Sequence, residues 1–323
     1  MNSSYLYDPL SQIIFHDDFD QGLNGWVVLS PNLRQDVMDY YPAQKKYAHW
    51  GPPMLSSATF GYVGTHGSIS GTYSLKIATR PVAGRPDEQP VPGQIGHAIK
   101  RLTFLKRQLL RCEMWYTFKA EMDRPGLGES DIRSFGFFWD IQDDEKRSFY
   151  GARYLNAAGG KMQQRWQVFK ASEGTDEDWG APGQSAPGHE VGSTEGKNRV
   201  FLRRGIDPQW LGKRFADGGS EGYTDVEDGH QALCFNETPD KINWHYLALT
   251  VDLARREYVE LRSVNKSWDL RGISPTPVDG YPRINYLLNP VLFVEADTDR
   301  RVFLFVDSIV NSTGPAGSAK KGA

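Results

Sequence analysis

No window of this chain approaches the ~18 consecutive apolar residues that a membrane-spanning helix needs, so no transmembrane helix and no membrane partner are expected. Cysteine is scarce. Cys112 and Cys234 are the only two in 323 residues, too few for a disulfide framework. Both have apolar neighbours and read as buried free thiols. Excess positive charge is also missing: 37 Lys and Arg stand against 40 Asp and Glu, a formal net charge of -3. That argues against nucleic acid as a partner. The N-terminus, from Met1 to Tyr7, has neither a basic n-region nor a long apolar h-region, so no signal peptide is expected and the chain reads as cytoplasmic. A chain stripped of its leader would look the same and be secreted. There is no phosphate loop, no Gly-x-Gly-x-x-Gly, no His-Glu-x-x-His and no Cys-x-x-Cys. The nearest approach to a nucleophile elbow, Gly67-Ser68-Ile69-Ser70-Gly71, has isoleucine at its centre. Nucleotide, zinc-hydrolase and redox chemistries are therefore disfavoured, and no organic cofactor is expected.

The chain does have aromatic residues (12%), 33 Gly and 19 Pro, the balance of a turn-rich β protein. Alternating or short apolar runs predict strands at 71–79, 111–121, 134–141, 148–155, 164–170, 244–253, 257–264, 291–296 and 301–310. Residues 98–110 read as a strand and turn or as a short helix. The run 134–170 reads as a three-stranded meander. Two long insertions, at about 30–56 and 171–232, interrupt the pattern; the second carries the signal of a short helix near Asp207-Pro208. Residues 265–285 read as a further loop. Residues 1–12 read as a lead-in and 313–323 as a disordered tail. Without a Pro/Ser-rich linker or a repeat, 13–312 reads as one domain.

Two distant stretches organise this reading. One is Phe15-His16-Asp17-Asp18-Phe19-Asp20 with Gly22, Gly25 and Trp26; the other is the apolar strand 301–310. Asp307 lies inside that strand, where a carboxylate is expensive unless paired or metal-bound. The expected picture sets the first and last strands side by side, with a cation near the seam.

Three pieces in order resemble the concanavalin A-like lectin/glucanase superfamily: the opening 15–26, the hairpin Asn243-Trp244-His245 through Asp252 with Arg256 to Leu261, and the closing Phe305-Val306-Asp307-Ser308-Ile309. The resemblance implies an all-β fold, a two-sheet antiparallel jelly-roll β-sandwich with long loop insertions. It implies an oligo- or polysaccharide partner on the concave face. It also implies a structural calcium held by Asp18 and Asp307, with Asp17 or Asp20 helping; calcium takes six to eight oxygens. The function it suggests is that of a carbohydrate-active enzyme, a glycoside hydrolase or polysaccharide lyase. The alternative is a lectin-like, non-catalytic carbohydrate-binding protein.

Candidate chemistry follows from alternation. Glu295, Asp297 and Asp299 share one face, an incomplete version of the glucanase acid pattern. Asp140 lies opposite the core-facing Phe135, Phe137, Trp139 and Ile141. Its neighbours on the next strands are either Arg153 or Tyr154, and either Arg165 or Trp166, groups that bind hydroxyls or stack on sugar rings. His245 is a candidate base. Catalytic candidates are thus Asp140, His245 and Glu295. Substrate-binding candidates are Arg153, Tyr154, Arg165, Trp166 and, in the aromatic loop, Trp50.

Overall fold

The computed structural model describes residues 6–27, 53–57, 67–79, 95–104, 106–121, 128–170, 223–237, 242–275, 277–279, 286–298 and 300–316. Within them the strands are β1 (Gln12–Asp17), β2 (Met54–Ser57), β3 (Tyr73–Ala78), β4 (Ile95–Ile99), β5 (Leu109–Ala120), β6 (Ile132–Gln142), β7 (Lys146–Ala158), β8 (Lys161–Phe169), β9 (Tyr223–His230), β10 (His245–Asp252), β11 (Glu257–Ser263), β12 (Lys266–Asp269), β13 (Val278–Asp279), β14 (Leu287–Ala296) and β15 (Val302–Gly314). There is no α-helix among the described residues. The first sheet runs β12-β11-β10-β5-β15-β3-β2, with β1 also on β15. The second runs β4-β14-β6-β7-β8-β9, with β13 on β7. Every pairing is antiparallel. This is the expected two-sheet sandwich.

Alternation builds the core between the sheets. Cys112, Met114, Tyr116 and Phe118 of β5 face Phe135, Phe137, Trp139 and Ile141 of β6. Phe118 stacks on Phe135 at 4.6 Å between centroids, and Tyr116 meets it at 5.2 Å. Polar tips inside this layer find partners across it, as burial requires. Trp139 Nε1 donates to Asn311 Oδ1 at 2.7 Å. The Tyr258 hydroxyl accepts from the Gly151 amide and donates to the Phe169 carbonyl.

The two chain ends meet as expected: Phe15 pairs with Asn311, and Asp17 with Ile309. The remaining differences have local causes. β15 runs on to Gly314, into the expected tail, because Thr313 and Gly314 pair with Leu110 and Leu109. Tyr223–His230 is a strand, not loop. Its polar sequence suits an edge, where one flank and most side chains meet water. β2 falls at the end of the expected loop 30–56, and β12 and β13 lie within the expected loop 265–285. All three are short and pair along one side only. The expected helix near Asp207 lies outside the described residues. Cys112 is buried but Cys234 is exposed, since Leu233 and Phe235 take the inward positions beside it. The lead-in is tethered to the first sheet's outer face. Trp115 Nε1 donates to the Leu6 carbonyl, the Asp8 amide to Glu113 Oε1, and the Leu10 amide to Ser312 Oγ.

Candidate functional site

A two-sheet sandwich requires only the inner face of each sheet to be apolar. The outer face of the second sheet is nonetheless buried. It carries a second aromatic cluster of Phe138, Phe169, Tyr223 and Phe293 with Ile99 and Val291. Set among these rings are three groups of charged and polar side chains.

The first surrounds Glu295. β14 and β6 slip register between Glu295 and Ala296, so Arg133 is the extra residue of a bulge. Arg133 Nε lies 3.5 Å from Glu295 Oε1, and Nη1 lies 3.3 Å from Asp297 Oδ1. One guanidinium thus spans two carboxylates, Glu295 and Asp297. Ser134 Oγ donates to Glu295 Oε2 at 2.9 Å, and Asp297 Oδ2 accepts from the Gly160 amide. Burial pushes the Glu295 carboxyl up to about 7, against the opposing pull of Arg133 and Arg153.

The second group is Asp140. Arg147 Nε and Nη2 donate to its two oxygens at 2.6 and 2.7 Å, and Asn289 Nδ2 adds a contact at 3.3 Å. Asp140 is 0% exposed and Arg147 1%. Both oxygens of Asp140, an expected catalytic acid, are thus bonded to one guanidinium in a buried ion pair. Asp140 is also remote from Glu295. Ser134 pairs with Glu295 and Asp140 lies six residues further along β6, roughly 20 Å at the rise of a strand.

The third group crosses β7, β8 and β9. Arg153 Nε donates to Gln167 Oε1 at 2.8 Å, Gln167 Nε2 to Asp225 Oδ1 at 2.6 Å, and Arg165 Nη1 to Asp225 Oδ2 at 2.7 Å. The Arg153 guanidinium lies 4.0 Å from the Tyr223 ring centroid. The open alternatives are thereby resolved. Arg153 and Arg165 are on this face, whereas Tyr154 and Trp166 point into the core, both 0% exposed. The two rings cannot stack on a ligand here. Trp50 lies outside the described residues.

His245 belongs to the other sheet. It starts β10 opposite Tyr116 and packs against the Tyr116 and Phe118 rings. Burial pulls its imidazole down to about 4, only partly offset by the backbone of Tyr116 and Asn243. The three catalytic candidates therefore do not converge.

At the seam, Asp307 Oδ2 accepts from Ser70 Oγ at 3.1 Å, and Oδ1 is buried with no hydrogen-bond partner. Burial raises this carboxyl to about 6, and the charge of Asp20 adds to the rise. Asp20 Oδ1 accepts the Thr72 and Tyr73 amides. Gly71, at φ +143, passes so close that a Cβ would fall 2.2 Å from Asp20 Oδ2. Asp18 is not part of this arrangement, since its Oδ1 accepts the Asp20 amide in a tight turn. Asp17 holds Trp26 Nε1 and Lys100 Nζ, both at 2.8 Å. Among the described residues no three His, Cys, Asp or Glu side chains gather as a metal site.

Arg133, Gln167, Tyr223 and Asp225 escaped the sequence reading. A bulge reverses alternation at Arg133, and Tyr223 and Asp225 sit at the end of a polar stretch that hides their strand.

Strand order, register and the paired chain ends define the class: an all-β sandwich of two antiparallel sheets. The chain belongs to the family described as a domain of unknown function, DUF6772, whose model matches residues 3–315. No curated protein matches it. Among solved structures it is similar to "Cellulose induced protein, Cip1" at 13% identity and TM-score 0.40, covering 94% of this chain and 99% of that one. The carbohydrate recognition domain of Emp46p is similar at 11% and 0.36, covering 84% and 92%. The CBM2 module of the evolved Dit of Lactobacillus casei BL23 phage J-1 is similar at 9% and 0.38, covering 94% and 96%. The fold assignment rests on the strand pairing itself, and these likenesses say nothing of a ligand.

Proposed function

We propose that this protein is a carbohydrate-active protein that takes a saccharide against the outer face of the second sheet, with Glu295 as its acid. The observation that carries the reading is a fully buried carboxyl on a sheet's outer face, raised to about 7 and bracketed with Asp297 by Arg133. Ion pairs in such surroundings add little net stability, whereas a carboxyl that retains its proton near neutral pH suits general acid catalysis. In a hydrolytic step Glu295 gives its proton to the glycosidic oxygen, and Asp297 receives the proton of an attacking water. Arg165, 40% exposed on the same face, offers donors to hydroxyls.

A non-catalytic reading rests on the same guanidinium: with Arg133 holding both acids, the face can bind a saccharide without cleaving it. A glycan array followed by product analysis separates the two. Product from the wild type, at least about 100-fold less from Glu295→Gln, and retained binding are the catalytic outcome, given what a positioned acid contributes. Binding without product by either protein selects the lectin-like reading. No saccharide bound by either sinks both.

We also place a structural cation, calcium by its oxygen donors, at Asp307 with Asp20 in place of Asp18. The buried, partnerless Oδ1 of Asp307 supports this. Calcium is expected to raise the melting temperature and chelator to reverse the rise, with the shift absent in Asp307→Asn. An unchanged melting temperature in the wild type would leave the two aspartates as a hydrogen-bonded clamp on residues 69–73.

A further inference from the structure

A short 3-10 helical turn, Glu129–Asp131, leads into β6. It is pinned from two sides. From β7, the buried Asn156 donates through Nδ2 to the Glu129 and Ile132 carbonyls at 2.8 and 2.9 Å. Ahead of the turn, Gly128 stands at φ +74, and a Cβ there would fall 3.2 Å from Asp131 Oδ2 and 3.3 Å from Arg300 Nη1. These contacts fix where Asp131 projects.

Asp131, 8% exposed, turns both carboxylate oxygens to the segment that follows β14. Thr298 Oγ1 donates to Oδ1 at 2.8 Å and Arg300 Nη1 to Oδ2 at 3.0 Å. The Asp131 carbonyl also accepts the Asp297 amide at 2.8 Å. On its other side, the Asp297 carboxylate meets Arg133 Nη1 at 3.3 Å and the Gly160 amide at 2.7 Å. The register of β6 and β14 slips just before this point, between Glu295 and Ala296, and a bulge disrupts the ladder that elsewhere sets side-chain positions. Past the bulge, Asp131 restores what the ladder no longer supplies. We infer that Asp131 is a positioning residue that acts through Asp297, seating its carboxylate between Arg133 and the Gly160 amide. This rests on the reading of Glu295 and Asp297 as the acids of the site. Such a role matters because a misplacement of about 1 Å can cost about 100-fold in rate.

The readout is the Glu295 carboxyl itself, followed by carbon NMR in the full chain labelled at glutamate carboxyls and assigned by its loss in Glu295→Gln. The groups that act on it are Arg133 of β6, Arg153 of β7, Tyr223 of β9 and Asp297 beyond β14. Asp131→Asn keeps the shape but weakens the hold on Thr298 and Arg300. Asp297 then withdraws, and Arg133 is left to Glu295 alone. Both changes favour the ionised form, so the Glu295 midpoint should fall by about one unit, the lower end of what a close charge contributes. In an Asp297→Asn background the same substitution should move it by no more than about 0.3 unit, the scatter of independent sites. Thr298→Val removes one bond to Asp131 and no charge; it should shift Glu295 the same way by less, and it replaces Asp131→Asn should that protein fail to fold. An unmoved midpoint, or an equal shift in both backgrounds, overturns the inference. The wild-type midpoint scores the acid reading separately: a value in the ordinary carboxyl range removes Glu295 as the acid, while the difference between variants still scores Asp131.

Discussion

Asp140→Ala is expected to lower the unfolding free energy by about 3–5 kcal/mol, the usual result of stranding one member of a buried ion pair. The variant leaves the Arg147 guanidinium, 1% exposed, without the carboxylate that accepts both its Nε and Nη2 donors. Asn289 loses an acceptor as well. Urea unfolding would read the change as a shift in midpoint at constant m-value. Asp140→Asn should lose somewhat less, because an amide oxygen still accepts one donor. Replacing both members with apolar residues of similar size should recover much of the loss, as hydrophobic isosteres of buried pairs commonly do. A loss under about 1 kcal/mol for Asp140→Ala would mean that water reaches the pair and that Asp140 is free for other work. The distinction bears on function. An inactive Asp140→Ala protein would otherwise pass for a catalytic mutant, when the expected defect is one of folding.

The sheets were legible because core formation and alternation obey one rule. Phe135, Phe137, Trp139 and Ile141 could face only inward if the chain was to bury them, and the long closing strand, apolar on both sides, announced a central position in its sheet. The strands that escaped notice are edges such as Tyr223–His230, whose polar side chains reflect one unpaired flank. The site was legible only residue by residue. Glu295 and Asp297 share a face as alternation requires, yet their partner Arg133 comes from a bulge, which breaks the period that sequence reading relies on. Arg153 and Tyr154 are adjacent, and nothing local says which faces inward. Tertiary packing settles it, by seating Tyr154 against Phe135 and Trp166. His245 looked like a base because histidine titrates near neutrality, but burial removes that property.

Glu295 provides the second large effect, through pH. Its carboxyl titrates near 7 in the fold against 4.5 in the unfolded chain. Between these values the folded state therefore binds more protons than the unfolded one. Stability must fall as pH rises through the window, and it is flat in this group below 4.5 and above 7. The span corresponds to a loss on the order of 3 kcal/mol. Asp307 acts with the same sign at lower pH, since burial raises it to about 6. The absolute slope of the wild type thus mixes both groups, and a comparison isolates one. Glu295→Gln removes the titration and leaves Asp307 in place, so its stability should decline much less from pH 5 to pH 8 than that of the wild type. Urea unfolding across that range measures the difference. Parallel curves for the two proteins would show Glu295 ionised throughout, locked to Arg133. A permanently ionised Glu295 has no proton to give, so the same result would remove the acid from the proposed reaction and leave the face to binding alone.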